Sequence, residues 1–293
     1  MKILNYGSMN IDRVYAVEHT VCPGETILAA GMQIYCGGKG LNQSIAIAKA
    51  GGEIYHAGVL GEDGDILLDA LTRHHVDTRH IRRVAGSSSH TVIQVDTQGQ
   101  NCIIVCPGEN VRVTDEDIDT VLNDFTEGDM IVLQNELDNT PVIMRKAAKR
   151  GLIPVFNPSP VNDALSAYPL DCVGWFIMNE IEGKAITGET EPDAILSAMA
   201  RLYPKASAVL TLGVQGAYCV HEGQTYFQPA FKVKAVDTTA AGDTFSGYLV
   251  AGLARGEALP AILERAARAS SITVSRKGAA DSIPDWRELS DPA

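Results

Sequence analysis

Aromatic residues are scarce in this chain of 293 residues, 6% of the total with two Trp and six Phe. Long apolar runs are missing too. No window approaches the ~18–20 consecutive apolar residues that a membrane-spanning helix needs. The opening MKILNYGSMN has one Lys followed by polar residues and Gly, so it reads as a first strand and not as a secretory leader. Positive charge is in short supply. Lys plus Arg number 24 against 36 Asp plus Glu, a formal charge of −12. That disfavours a broad basic surface for nucleic acid and leaves room for a small basic pocket that takes a nucleotide or sugar phosphate. The six cysteines, Cys22, Cys36, Cys102, Cys106, Cys172 and Cys219, form no C-x-x-C and no Cys/His set with zinc-finger spacing. They read as reduced, mostly buried thiols of a cytoplasmic protein. No G-x-G-x-x-G occurs, which counts against a nicotinamide-dependent oxidoreductase.

What is present is ordinary for a soluble globular chain, with 45% hydrophobic and 20% charged residues. Short runs apolar on both faces read as buried parallel strands at Ile3–Tyr6, Ile54–Gly58, Met130–Gln134, Ile153–Phe156, Trp175–Met178 and Val209–Leu212. Helical patterns alternate with them at Asn42–Ala50, Asp65–His74, Asp115–Asn123, Pro141–Arg150, Pro192–Tyr203, Asp243–Ala254 and Pro260–Val274. Such alternation predicts an α/β fold, a doubly wound and mostly parallel sheet flanked by helices. Two stretches break the rhythm. Ile11–Cys36 has strand-like pieces and no convincing helix, and Thr91–Cys106 reads as a hairpin around Gly99. Together they predict a small β-sheet apart from the main body. The organisation expected is one domain, 1–293, with this β-excursion inserted from about 11–36 and 88–108.

The 27 glycines cluster where chemistry is expected. Gly37-Gly38-Lys39-Gly40-Leu41-Asn42 precedes an apolar helix, so backbone N–H groups there can approach a ligand; a tight strand-to-helix turn with a solvated Lys fits equally well. It is not a Walker A loop, because no Ser or Thr follows the Lys. Asp237-Thr238-Thr239-Ala240-Ala241-Gly242-Asp243 precedes another helix. Its small residues uncover N–H groups for an anion, and Asp243 suits either a general base beside that anion or, more simply, an N-cap. Asn179 and Glu182 lie three apart after the apolar run GWFIM, spaced for Mg²⁺ support or for a capping box. Thr211-Leu212-Gly213-Val214-Gln215-Gly216 suits a nucleotide-facing turn or a plain hairpin. Ser275-Arg276-Lys277-Gly278 suits phosphate contact or a helix C-cap at Gly278.

In combination these pieces resemble the ribokinase, or PfkB-type, carbohydrate kinase family over about Asn5 to Pro284. The stretch from Gly37 through Asn42 and Ser44 to Gly51 and Gly61 looks like the family's N-terminal signature. The stretch from Asp237 through Gly242-Asp243 looks like its C-terminal signature. Gly7-Ser8-Met9-Asn10-Ile11-Asp12, Pro23-Gly24-Glu25-Thr26 and Ala235–Phe245 look like segments of its ribokinase members. Tyr248 stands where the family usually carries a small residue, a difference of packing.

The resemblance implies an ATP-dependent kinase acting on the primary hydroxyl of a pentose, D-ribose foremost. A nucleoside, a hexose or a keto-sugar is the alternative within the fold, and a non-catalytic sugar-binding or regulatory protein is the alternative outside it. No aromatic platform for a nucleoside base stands out. The resemblance makes Asp243 the base and the N–H groups of Ala240, Ala241, Gly242 and Asp243 the anion hole. It places Asn10, Asp12, Gly38, Lys39, Asn42 and Glu136 on the sugar. Asn179, Thr211, Gly213, Gly216 and Gly242 would hold the nucleotide, and Glu182 would support Mg²⁺ through water. Asp237, Thr239, Thr273, Arg276, Gly278 and Ser282 would surround a monovalent cation, K⁺. The β-excursion would be a lid over the sugar, and two lids would pair in a homodimer. No nucleic-acid or membrane partner is expected.

Overall fold

The computed structural model describes residues 1–108 and 112–290. Residues 291–293, which close the expected 1–293 domain, lie outside the described residues, as do 109–111. In chain order the elements are β1 (Ile3–Tyr6), β2 (Asn10–Ala16), β3 (Gly31–Gly37), α1 (Lys39–Lys49), β4 (Ile54–Leu60), α2 (Asp65–Arg73), β5 (Asp77–Arg83), β6 (His90–Val95) and β7 (Asn101–Cys106). There follow α3 (Asp115–Leu122), β8 (Met130–Gln134), α4 (Thr140–Lys149), β9 (Ile153–Asn157), β10 (Trp175–Asn179), α5 (Glu180–Thr187), α6 (Pro192–Leu202) and β11 (Ser207–Thr211). The hairpin β12 (Gly216–His221) and β13 (Gln224–Pro229) and the helices α7 (Ala241–Ala254) and α8 (Leu259–Val274) complete them.

The large sheet runs β13-β12-β11-β10-β9-β8-β1-β4-β5. Its pairings are parallel from β5 through β11, and β12 and β13 add an antiparallel edge. Strands β1 and β8 occupy the expected residues, because each is an apolar run buried along its whole length. Strand β11 is shifted, so that the expected Leu212 falls beyond it. Strand β5 was not anticipated. Its DTRHIRR sequence is polar because it is an edge strand that pairs only with β4.

Helices cover both faces. Side chains of α1, α2, α7 and α8 build one core with β1 and β4, and those of α3, α4 and α6 build the other. Tyr248, on α7, is buried and its hydroxyl donates to the Pro284 carbonyl at 2.9 Å, tying that helix to the C-terminal segment. The cysteines do not form a buried set. All are free, Cys219 is buried, and Cys22 and Cys102 are exposed because they lie in the smaller sheet and its connections.

That smaller sheet runs β3-β2-β6-β7, with β2 and β6 parallel and two antiparallel hairpins at the sides. Strand β2 follows β1 after Gly7-Ser8-Met9, and β3 passes through Gly38 directly into α1. The sheet is therefore rooted at the carboxyl end of β1, where it forms a lid. There the strand order also reverses: β1, β4 and β5 step one way and β8 through β11 step the other. In open α/β sheets a crevice outside the carboxyl ends of the strands opens at such a switch point.

Candidate active site at the switch point

Parallel register lines up the carboxyl ends of the strands. Gln134 on β8 stands opposite Asn157 on β9, and Asn179 on β10 opposite Thr211 on β11. Beyond β1 and β8 the crevice is spanned by the Ser8 hydroxyl, which donates a short hydrogen bond to Glu136 Oε2. The Lys39 backbone N–H donates to the same oxygen at 3.1 Å.

The glycine loop is built for close approach. A Cβ on Gly40 would lie 2.5 Å from Gly7 C and Ser8 N, so α1 packs directly on the β1 turn. Gly38 has φ +97° and faces the Ser8 carbonyl and the Asn10 N–H. Asn10 and Asp12 enter from β2. The Asp12 carboxylate accepts from Thr91 Oγ1 at 2.7 Å and occupies the space that a Cβ on Gly37 would take. Burial raises the Asp12 carboxyl, and the Thr91 bond partly offsets it.

Asp243 sits in the first turn of α7, 9% exposed. It is not the N-cap. That position is Ala240, at φ 60° in the left-handed region, with no side-chain capping bond. Turning the chain at Ala240 leaves Asp243 inside the helix, where its carboxylate meets α1. Asn42 Nδ2 donates to Oδ2 at 3.1 Å and Gln43 Nε2 to Oδ1 at 2.9 Å. Each oxygen keeps a second lone-pair direction. The first N–H groups of a helix have no intrahelical acceptor, so those of Gly242 and Asp243 are available to an anion. The Ala241 N–H is engaged with the Thr238 carbonyl at 3.3 Å. Gly242 is exposed, with open space where a Cβ would stand.

Charges converge here. Burial alone would lower the Lys39 ammonium, but Asp243, Glu136 and Glu182 outweigh it and hold it above its ordinary value. Burial raises the Glu136 carboxyl, partly offset by Lys39 and Ser8. Asn42 Oδ1 is buried without a partner, an acceptor left for a donor from the crevice.

Asn179 and Glu182 form the capping box of α5. Glu182 Oε2 accepts from the Asn179 N–H at 2.9 Å, and the Glu182 N–H donates to Asn179 Oδ1 at 2.9 Å. Asn179 Nδ2 and Asn157 Nδ2 add bonds at 3.0 and 3.3 Å. Glu182 Oε2 thus accepts two bonds and Oε1 one, which fits a metal held through water better than one held directly. No group of three or more His, Cys, Asp or Glu side chains forms a metal cage among the described residues. Thr211 Oγ1 donates to the Met178 carbonyl at 3.3 Å. Gly216 has φ +125°, and a Cβ there would lie 2.8 Å from Pro229 Cα, so the turn Gly213–Gln215 is closed by a residue that only glycine suits.

The remaining loop residues gather beside the α7 N-terminus. Asp237 accepts from the Thr239 N–H at 2.9 Å and the Gly278 N–H at 3.1 Å. Arg276 donates its N–H to the Thr273 carbonyl at 3.1 Å while its guanidinium pairs with Glu288 at 2.6 Å, away from the loop. The Ser282 hydroxyl donates to the Ala279 carbonyl at 2.7 Å. Gly278 is not the C-cap of α8, which is Ser275; it lies three residues further on.

Several participants were not singled out from sequence: Gln43, Gln134, Asn157 and Thr91. The available signal was the run Asn42-Gln43-Ser44 at the start of an otherwise apolar helix, all three buried.

Comparison with known proteins places the whole chain in one family. Residues 1–286 match the pfkB family carbohydrate kinase model. The chain is 32% identical to the ribokinase of Staphylococcus aureus, covering 98% of each chain. It is 31% identical to that of Haemophilus influenzae, covering 96% of this chain and 95% of the other. Among solved structures, ribokinase from Thermotoga maritima superposes with a TM-score of 0.88 at 32% identity, covering 99% and 98%. Arabidopsis thaliana ribokinase complexed with ribose and ATP superposes with a TM-score of 0.86 at 29% identity, covering 98% and 97%. The match runs along nearly the whole length, and the chain belongs to the pfkB family of carbohydrate kinases, as an ATP-dependent sugar kinase.

Proposed function

We propose that this kinase transfers the γ-phosphoryl group of ATP to the primary hydroxyl of D-ribose, giving ribose 5-phosphate and ADP. The observation that carries the reading is Asp243, a carboxylate fixed by two amide donors in the same helical turn whose N–H groups face the crevice. Asp243 takes the hydroxyl proton as the oxygen attacks the γ-phosphorus and the bond to the β-phosphate oxygen breaks. The N–H groups of Gly242 and Asp243 receive the charge that builds on the transferring group. Asn10, Asp12, Gly38, Lys39, Asn42 and Glu136 hold the sugar, with carboxylates and amides suited to vicinal hydroxyls. Asn179, Thr211, Gly213 and Gly216 line the nucleotide.

Mg²⁺ bound through water near Glu182 would neutralise the phosphates. K⁺ in the loops of Asp237, Thr239, Thr273, Gly278 and Ser282 would order the backbone beside the anion hole. In Arg276 only the backbone fits this role, since its guanidinium faces Glu288. Closure of the lid excludes water and limits idle ATP hydrolysis. The lid edges β3 and β7 expose Met32, Ile34, Ile103, Ile104 and Val105, which supports pairing of two lids in a homodimer. We place the enzyme in the cytoplasm, in keeping with free thiols and with no helix long and apolar enough to cross a membrane among the described residues.

A second reading has its own support. The deoxyribokinase of Salmonella typhimurium is 30% identical over 99% of this chain. ATP consumption measured against ribose, 2-deoxyribose, hexoses and nucleosides separates the two, with ribose expected to give the highest kcat/KM. Asp243→Asn is expected to lower kcat by about 10²–10⁴-fold while ATP still binds. Near-normal turnover in that variant removes the base assignment.

A further inference from the structure

The amides around Asp243 form one connected chain drawn from four distant parts of the sequence. Gln134 Nε2 donates twice, to Asn5 Oδ1 at 3.1 Å and to Gln43 Oε1 at 2.8 Å. Asn5 Nδ2 donates to the Gly40 carbonyl at 2.9 Å. Gln43 Nε2 donates to Asp243 Oδ1 at 2.9 Å and to Asn157 Oδ1 at 3.4 Å. Asn157 Nδ2 reaches Glu182 Oε2 at 3.3 Å. Asn5, Gln43, Gln134 and Asp243 are all buried.

The direction of this chain is forced by its chemistry. A backbone carbonyl only accepts, so Asn5 must turn its nitrogen to Gly40 and its oxygen to Gln134. Gln134 must then present its nitrogen. An amide nitrogen only donates, so Gln43 must turn its oxygen to Gln134 and its own nitrogen to Asp243. A flipped Gln43 would set an oxygen against the carboxylate and a nitrogen against a nitrogen, two repulsive contacts in a dry site. The arrangement also leaves Gln134 Oε1 buried without a partner. That unmet acceptor has a cost, and a Gln134 kept only for packing would not incur it.

We infer that Gln43, oriented by Gln134, is a positioning residue for the base: by donating to Oδ1 it fixes the rotation of the Asp243 carboxylate. The inference rests on the reading of Asp243 as the base. Donation to the charged form of a carboxylate stabilises that form. The charged groups that act on Asp243 from neighbouring elements are Lys39 at the start of α1, Glu136 after β8 and Glu182 on α5. Two of these three are acids, and the two donors from α1 are the side-chain hydrogen bonds that hold the carboxylate among them. Through Asn157 the same network links the base to Glu182, two amides away.

The test uses Gln43→Glu, which keeps the shape and replaces a donor with an acid. Two carboxyl groups at hydrogen-bond distance share a proton. The expected result is a kcat at neutral pH lowered at least tenfold. The acid limb of the kcat–pH profile should move up by one pH unit or more, and the KM values for sugar and ATP should change less than threefold. Gln134→Met, which does not touch Asp243, should lower kcat at least fivefold and move the same limb in the same direction, with a cooperative thermal transition retained. It keeps the inference testable if Gln43→Glu does not fold. Wild-type limbs and kcat within twofold in the folded variants overturn the positioning role. Asp243→Asn is run beside them: if it retains turnover, the base assignment itself fails; if it is inactive while the other profiles are unchanged, only this inference fails.

Discussion

Gly37→Ala isolates the proposed role of Asp12 without touching Asp12. Gly37 ends β3, opposite Asn10, and its φ is not in the left-handed region, so alanine brings no backbone strain. The new Cβ would stand 2.7 Å from Asp12 Cγ and closer still to Oδ2. These atoms are the far end of a side chain. The carboxylate therefore turns away, the backbone stays, and the 2.7 Å bond from Thr91 is lost. A hydrogen bond to a charged group contributes about 1.5–3 kcal/mol. Part of that loss is recovered, because a carboxylate leaving a buried position regains solvent. At roughly 2–4 °C per kcal/mol for a chain near this size, the melting temperature should fall by only about 2–6 °C. The loss of a charged contact to sugar hydroxyls, of the same size, corresponds to about a tenfold to hundredfold fall in kcat/KM for the sugar. The KM for ATP should stay within about twofold, since Asp12 is on the lid strand and the residues proposed for the nucleotide lie on β10, β11 and the turn that leads into β12. Initial-rate kinetics with each substrate varied in turn give both numbers. An unchanged sugar KM in the folded variant refutes a contact by Asp12, and an equal rise in both KM values shows a general distortion instead.

Three further outcomes are expected. His56 is fully buried against Ser44, and burial lowers its imidazole from 6.5 to about 4. Its neutral form is favoured in the folded state, so the stability it contributes is present above pH ~6.5 and is lost as the pH falls toward 4. This amounts to about 3 kcal/mol at 1.36 kcal/mol per unit. Urea unfolding between pH 7.5 and 4.5 should show a shallower decline for His56→Gln than for the parent; parallel declines would exclude His56 as the source. K⁺ should raise kcat relative to a bulky organic cation at equal ionic strength, and equal rates would remove the cation from the loop of Asp237 and Gly278. Sedimentation should show a dimer that Ile104→Lys with Ile34→Lys converts to monomer; a monomeric parent would leave the lid edges without a partner copy.

Fold legibility tracked burial. Strands β1 and β8 were readable to the residue because central parallel strands are apolar on both faces. Strands β5 and β13 lie at the two edges of the sheet, where one side is free of pairing and polar residues are tolerated, so their apolar signal is weak. Helix α5 was legible only as the spacing of Asn179 and Glu182, since just Glu182 and Gly183 are buried along its length. The site was legible as a set of loops. Glycines mark close approach in sequence, and those at positions 37, 38, 40 and 216 lie where a side chain would clash.

Periodicity by itself determined the class of this protein, a doubly wound α/β sheet with a β-excursion, and the resemblance of its glycine loops and the Asp243 segment to known signatures pointed to the family. These properties are local, because each depends on residues within one element or turn. Tertiary structure alone decided where Asp243 stands and what holds it. From sequence it read most simply as an N-cap, and the left-handed turn at Ala240 moved it inside the helix. Packing of α1 against α7 then brought Asn42 and Gln43 to it across two hundred residues. Hydrogen-bond direction is a property of the assembled network, and no single segment encodes which way an amide must face.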